Sequence, residues 1–173
     1  MKKRLTLIQM DVHVNDVEYN YNRVQELLNQ ALSESPDIIV LPETWNTGFY
    51  PSTDLINIAD NNGDRTKALL SAFAKEHNVN IVGGSVAVAK DNLVFNTSYV
   101  YNRNGELVGE YSKMHGFSPA KEDKYFASGT HTTHFELDGI PCSTVICYDI
   151  RFPELVRMAA LPGTELLFVP AQW

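Results

Sequence analysis

A chain of 173 residues with 44% hydrophobic residues has enough apolar material for one domain with a real core. Its formal net charge of -7 and sequence pI of about 5.1 argue against a nucleic-acid or anionic-membrane surface, because both need a basic patch. The partner indicated is a small molecule.

The start, Met1-Lys2-Lys3-Arg4, is basic, but the apolar run Leu5 to Met10 is too short for a signal-peptide core and acidic Asp11 follows at once. It reads as a first strand, and no window reaches the apolar length of a membrane span, so a cytoplasmic protein is expected. Asn15-Asp16 then offers a helix cap, with Val17, Tyr21, Val24, Leu27, Leu28, Ala31 and Leu32 spaced as one buried face. Pro36-Asp37 ends that helix, and Asp37 to Leu41 is an almost wholly apolar run that suits a central strand. Strand, helix, strand implies a right-handed crossover and a parallel pair. The strand ends at Pro42-Glu43, which places a carboxylate at a strand's carboxyl end, where sites in open α/β sheets are built; a solvated turn glutamate is the alternative.

Asp64 to His77 is a second amphipathic helix carrying Leu69, Leu70, Phe73 and Ala74. Val79 to Val88 follows as a strand interrupted by Gly83-Gly84, which signals a bulge or a close backbone approach. Phe95 to Tyr101 and Leu107 to Tyr111 flank Asn102-Arg103-Asn104-Gly105, a hairpin signal, so the sheet is mixed. Lys113 stands just past the second hairpin strand, either as an edge lysine or as a functional ammonium, and Ser118 to Gly129 reads as a polar loop.

Phe135 to Ile140 turns tightly into the run Ser143-Thr144-Val145-Ile146-Cys147, after which Phe152-Pro153-Glu154 opens a helix. Strand, sharp turn and helix lift Cys147 to a strand's carboxyl end beside amide N–H groups and a positive helix end. That environment predicts a lowered thiol pKa and a nucleophile; the alternative is a buried small hydrophobe. The two cysteines, Cys142 and Cys147, lie five positions apart in one expected strand and so on opposite faces, which disfavours a disulfide between them and suits a reducing compartment. Pro162-Gly163 ends the helix, and Glu165 to Pro170 is a last apolar strand.

Three strand ends thus offer a carboxylate, an ammonium and a thiol. In Leu41-Pro42-Glu43 with Gly48 after it, Tyr111-Ser112-Lys113-Met114-His115, and Cys147-Tyr148-Asp149-Ile150-Arg151-Phe152-Pro153-Glu154, the chain resembles the nitrilase superfamily of carbon-nitrogen hydrolases. The resemblance covers all of residues 1–173, read as a single carbon-nitrogen hydrolase domain. It implies an α/β fold, a four-layer α-β-β-α sandwich with mixed sheets, in which Glu43, Lys113 and Cys147 are catalytic and Glu122 is a second functional glutamate. Cys147 would attack a carboxamide, the Lys113 ammonium and the Tyr148 backbone N–H would stabilise the oxyanion, and Glu43 would move the protons. Asp149 and Arg151 are expected to brace the turn as an ion pair.

Within the superfamily the motifs look most like the ω-amidase branch. That likeness implies hydrolysis of a small ω-amide of a dicarboxylate, such as 2-oxoglutaramate or succinamate, through a cysteine thioester with release of ammonia. Nitrile or N-carbamoyl hydrolysis by the same triad is the nearest alternative, and an inactive binding module is another. The likeness also implies a homodimer or larger oligomer and no cofactor. A metal site built on His131 and His134, with or without His115, is a weaker reading, since no third ligand of matching pattern follows the pair. Two departures stand out. Gly116 replaces a leucine usual in the family, which is expected to loosen the loop behind Lys113. The family fold also continues past residue 173, so the sandwich is expected to be incomplete at its C-terminal end, and the piece alone poorly stable or inactive.

Overall fold

The computed structural model describes residues 2–49 and 54–172. Strand β1 (Leu5–Leu7) leads to helix α1 (Val17–Ala31), β2 (Ile38–Val40), the short helix α2 (Leu55–Ile58), β3 (Asp60–Asn61) and α3 (Asp64–His77). β4 (Asn80–Val82), β5 (Val86–Lys90), β6 (Leu93–Tyr101) and β7 (Leu107–Ser112) follow, then the one-turn helix α4 (Glu122–Tyr125). The remainder is β8 (Thr133–Leu137), β9 (Ile140–Thr144), α5 (Pro153–Ala160) and β10 (Leu166–Phe168).

Helix α1 begins where the Asp16 carboxylate accepts the Tyr19 N–H at 3.1 Å, and it buries Tyr21, Val24, Leu28 and Ala31 on the expected face. Helix α3 stops at Asn78, whose left-handed φ of 52° closes its C-terminus. The crossovers through α1 and α3 make β1, β2 and β4 parallel, while β6 runs antiparallel to β4, β5 and β7, so the larger sheet is mixed as expected. Its strand order is β1-β2-β4-β6-β5-β3, with β7 on the other edge of β6, and β8, β9 and β10 form a second sheet.

Alternation along the strands sorts side chains between two cores. Ile39, Ile81, Tyr99 and Tyr101 pack with Val24, Leu28, Leu70 and Phe73 of the helices, whereas Ile38, Val40, Val82 and Val100 meet Phe135, Leu137, Cys142 and Phe168 of the second sheet. On that sheet's far side, Val145 and Leu167 pack on Leu155 and Ala159 of α5. The layers therefore run helix, sheet, sheet, helix. Among the described residues no helix is long and apolar enough to cross a membrane.

The elements depart from the sequence reading at several points. The first and last strands are shorter, Leu5–Leu7 and Leu166–Phe168. The single strand expected over Val79 to Val88 is two, β4 and β5, which pair with different ends of β6. Gly84 marks the break: its φ is +62°, and a Cβ there would lie 2.0 Å from Pro42 O, so the expected close backbone approach is real. The polar loop over Ser118 to Gly129 contains α4, which forms because Glu122 is drawn into the interior. Finally, β9 ends at Thr144, so Cys147 lies beyond the strand that carries Cys142; both thiols are free.

Candidate active site

The loop after β2 is laced to the start of β5. Ser85 N–H donates to Pro42 O at 3.0 Å, Thr44 N–H to Ser85 Oγ at 3.0 Å and Trp45 N–H to Ser85 O at 3.1 Å. Trp45 Nε1 donates to Gly83 O, and the Asn46 amide both donates to and accepts from the Ala87 backbone. With its backbone held this way, Glu43 is fully buried. It is not the solvated turn residue of the alternative reading.

Lys113 follows β7 directly, its N–H donating to Asn96 O at 2.9 Å across the sheet. Its side chain turns inward rather than to an edge. Nζ lies 2.8 Å from Glu43 Oε1, 2.9 Å from Glu122 Oε1 and 2.7 Å from Glu122 Oε2. Glu122 is oriented by the Phe117 N–H, which donates to Oε2 at 2.8 Å. Gly116 has a structural use here, because a Cβ on it would sit 3.0 Å from Asp123 N; the glycine brings the lysine segment close to the turn bearing Glu122 rather than loosening it.

Cys147 opens a 3-10 turn, Cys147–Arg151, with φ at 45°, a left-handed conformation rarely taken by a non-glycine residue. Its N–H donates to Pro170 O at 2.9 Å, its thiol neighbours the Glu43 carboxylate, and the Gln172 N–H donates to Glu43 Oε2 at 3.1 Å. Four of the sequence-expected residues, Glu43, Lys113, Glu122 and Cys147, thus converge, with the Tyr148 backbone adjacent.

Electrostatics overturn one expectation. Burial pushes the Cys147 thiol up to about 12, and the neighbouring Glu43 carboxylate adds to this, outweighing the Lys113 ammonium. The resting group is a thiol, not the activated thiolate expected from a helix end. Burial also raises Glu43 above the ordinary carboxylate value, against the pull of Lys113. For Lys113 burial works toward the neutral form, but the Glu43 and Glu122 carboxylates outweigh it and hold the ammonium charged.

A second correction concerns Asp149, which is fully buried and does not pair with Arg151. It accepts from Tyr111 OH at 2.7 Å, Ile146 N–H at 3.1 Å and His115 N–H at 2.9 Å, and faces His115 Nδ1 at 2.9 Å. Asp149 thereby ties the lysine segment to the cysteine turn and leaves Arg151 exposed on the rim of a cleft of about 480 Å³. Val12, Val14, Phe49, Phe117, Tyr148 and Gln172 line that cleft, and Cys147 lies within it.

Two contributors escaped the sequence reading. Asn96 Nδ2 donates to Glu43 Oε1 and to Glu122 Oε1, both at 3.0 Å; its signal was an amide inside a strand, where Asn is depleted. The Gln172 backbone carries no side-chain signal at all. Of the histidines, His134 Nδ1 contacts Ser143 Oγ at 2.8 Å and His131 is exposed. Among the described residues no three His, Cys, Asp or Glu side chains are grouped to hold a metal.

The chain is 38% identical over 173 residues to a 2-oxoglutaramate amidase of Bacillus subtilis (strain 168), covering 100% of this chain and 66% of that protein. It is 31% identical over 182 residues to a chloroplastic omega-amidase of Arabidopsis thaliana, covering 98% of this chain and 48% of that one. The chain therefore spans about two thirds or less of the length of these curated relatives. An amidase structure from Nesterenkonia sp. superposes with a TM-score of 0.84 at 23% identity, covering 98% of this chain and 64% of that one, and so shares its fold. The sequence pattern of the family described as carbon-nitrogen hydrolase matches residues 4–173, and the chain belongs to that family.

Proposed function

We propose that this chain carries the amide-hydrolysing centre of a carbon-nitrogen hydrolase, with Cys147 as nucleophile, Glu43 as general base and acid, and Lys113 with the Tyr148 N–H as oxyanion donors. The observation that carries the reading is the Cys147 thiol, which lies in an open cleft beside a buried Glu43 that Lys113 links to Glu122. A thiol pushed up to about 12 is almost wholly protonated at neutral pH, so it needs a base at the moment of attack. Glu43, raised by burial, is suited to take that proton and later return it.

As Sγ bonds to the carbonyl carbon, the thiol proton passes to Glu43 and the carbonyl electron pair moves onto oxygen, where Lys113 and the Tyr148 N–H meet the new charge. Collapse breaks the carbon-nitrogen bond, Glu43 gives its proton to the nitrogen, and ammonia leaves a thioester on Cys147. Water then attacks that thioester, giving a proton to Glu43. The second tetrahedral adduct expels Sγ, which recovers the proton and frees the acid. Glu122 keeps Lys113 charged and aligned throughout.

The substrate reading follows from the cleft. Its walls are largely apolar, and its rim carries the guanidinium of Arg151, which Asp149 does not neutralise. A short amide with a carboxylate at its far end fits both features, as in 2-oxoglutaramate, named for the Bacillus relative. Ammonia release from succinamate and 2-oxoglutaramate, set beside release from neutral propionamide, tests this. We expect Cys147→Ala to abolish release from all three, and Arg151→Gln to raise KM at least tenfold for the two carboxylates while leaving propionamide unchanged. Undiminished release by Cys147→Ala would refute the nucleophile, and equal effects of Arg151→Gln on charged and neutral amides would refute the carboxylate contact.

A further inference from the structure

Asn96 is 1% exposed and lies across the sheet from Lys113. A single side-chain nitrogen there, Nδ2, reaches Glu43 Oε1 and Glu122 Oε1, two of the three oxygens that Lys113 Nζ contacts. The amide orientation follows from chemistry: a carboxylate only accepts, so the flipped amide would set Oδ1 against two carboxylate oxygens. With Nδ2 so placed, Oδ1 has no partner among the described residues, an arrangement a buried amide keeps only if something fixes the other end. Asn96 also lines a small cavity with Lys113, Gly116 and Glu122.

From this closed ring of Glu43, Lys113, Glu122 and Asn96 we infer that Asn96 is a positioning residue. Its two N–H donors hold both carboxylates in register on Lys113 and hold Glu43 in the ionised form that takes the thiol proton. Lys113 alone, a flexible ammonium, fixes charge but not direction, whereas a planar amide from a central strand sets the angle between the two carboxylates. The charged and titratable groups facing Glu43 are Lys113, Cys147 and Glu122, and those facing Asn96 are Glu43 and Glu122. The Gln172 N–H serves only Glu43 and the Phe117 N–H only Glu122, whereas Asn96 is a neutral donor that bridges both carboxylates, and its loss leaves Lys113 to bridge them alone.

The inference rests on the Cys147–Glu43 reading above, and the test separates the two. The rate at which iodoacetamide alkylates Cys147 is followed by mass spectrometry from pH 4 to pH 9 in the unaltered chain, Asn96→Ala and Asn96→Ser, with buried Cys142 as the slow internal control. The unaltered chain is expected to show a rise with pH that reports Glu43. Both variants are expected to move that inflection upward by about one pH unit. An inflection that stays in place in a variant retaining a cooperative melt overturns the role of Asn96 and leaves the nucleophile assignment standing. A rate in the unaltered chain that follows only the free thiol overturns both. Should both variants lose their melt, the side-chain amide signals of Asn96 in the unaltered, nitrogen-15-labelled chain decide. Signals that titrate with the alkylation inflection support the inference, and pH-invariant signals overturn it.

Discussion

Cys147 and Glu43 illustrate how a residue's chemistry is set by what surrounds it. A cysteine at a turn beside a helix N-terminus is expected to be acidified, yet desolvation and an adjacent carboxylate push this thiol the other way, to about 12. The consequence for pH dependence has a definite sign. The proposed mechanism requires ionised Glu43, whose pKa is raised above its ordinary 4.5, and charged Lys113, whose pKa is raised above 10.5. kcat/KM should therefore rise with pH through one inflection above 4.5 and stay level through neutrality to about pH 9. Glu43→Gln, which keeps the shape and loses the base, should lower kcat/KM by about 10²-fold or more across that range; an unchanged rate would remove Glu43 from the mechanism. Asp149 serves the fold at this scale, accepting from three backbone or side-chain donors on two segments. Asp149→Asn swaps one acceptor for a donor and leaves a buried partner unmatched, so urea unfolding should report a loss of about 1–3 kcal/mol.

Elements were legible where local chemistry alone builds them. The amphipathic spacing of α1 and α3 and the Asn-rich turn between β6 and β7 needed no tertiary partner to be recognised. Gly83-Gly84 was read as a bulge or close approach, and the backbone of Gly84 does run against Pro42 O, one residue before Glu43. A methyl group at this position meets both a positive φ and a backbone oxygen. Gly84→Ala should cost more than about 3 kcal/mol in denaturant unfolding and displace the Glu43 loop; a loss under 1 kcal/mol would show that the loop can yield. The hairpin between β5 and β6 was missed, although Asp91 and Asn92 both take positive φ, at 51° and 61°. Its signal was an Asp-Asn pair without the glycine that usually marks such a turn.

Across the whole molecule the two sheets are joined by an apolar core and, at one end, by charge. Arg103, in the turn between β6 and β7, donates to Asp138 Oδ1 and Oδ2 at 2.8 Å each, to Asp37 Oδ1 at 2.8 Å and to Asn78 O. Asp138 belongs to the β8–β9 turn of the other sheet, and Lys3 reaches it as well. The Arg103 guanidinium holds the Asp138 carboxyl well below the usual range. A depressed folded pKa means stability that is complete above the unfolded value of 3.8 and is lost as pH falls from there toward the folded value. Arg103→Ala should therefore lower stability by about 1 kcal/mol at neutral pH, a figure reduced by solvent screening of a partly exposed pair. The gap between the variant and the unaltered chain in thermal melts should narrow below pH 3.8; a gap that stays the same in acid would assign the effect to packing.

The residue sequence by itself determined the layered α/β architecture, the two amphipathic helices, the parallel start of the sheet and the motifs around Glu43, Lys113 and Cys147. The layers came from the family resemblance that those motifs carry, and the rest from local spacing, turn chemistry or short patterns. Only the tertiary structure decided that Glu122 is drawn inside, that Asn96 bridges two carboxylates, that Asp149 binds Tyr111 and His115 instead of Arg151, and that the thiol rests protonated. The physical reason is distance along the chain: Glu43 meets Asn96 53 residues away and Lys113 70 residues away. Desolvation, which inverts the expected behaviour of Cys147, is a property of the packed site and of no single segment.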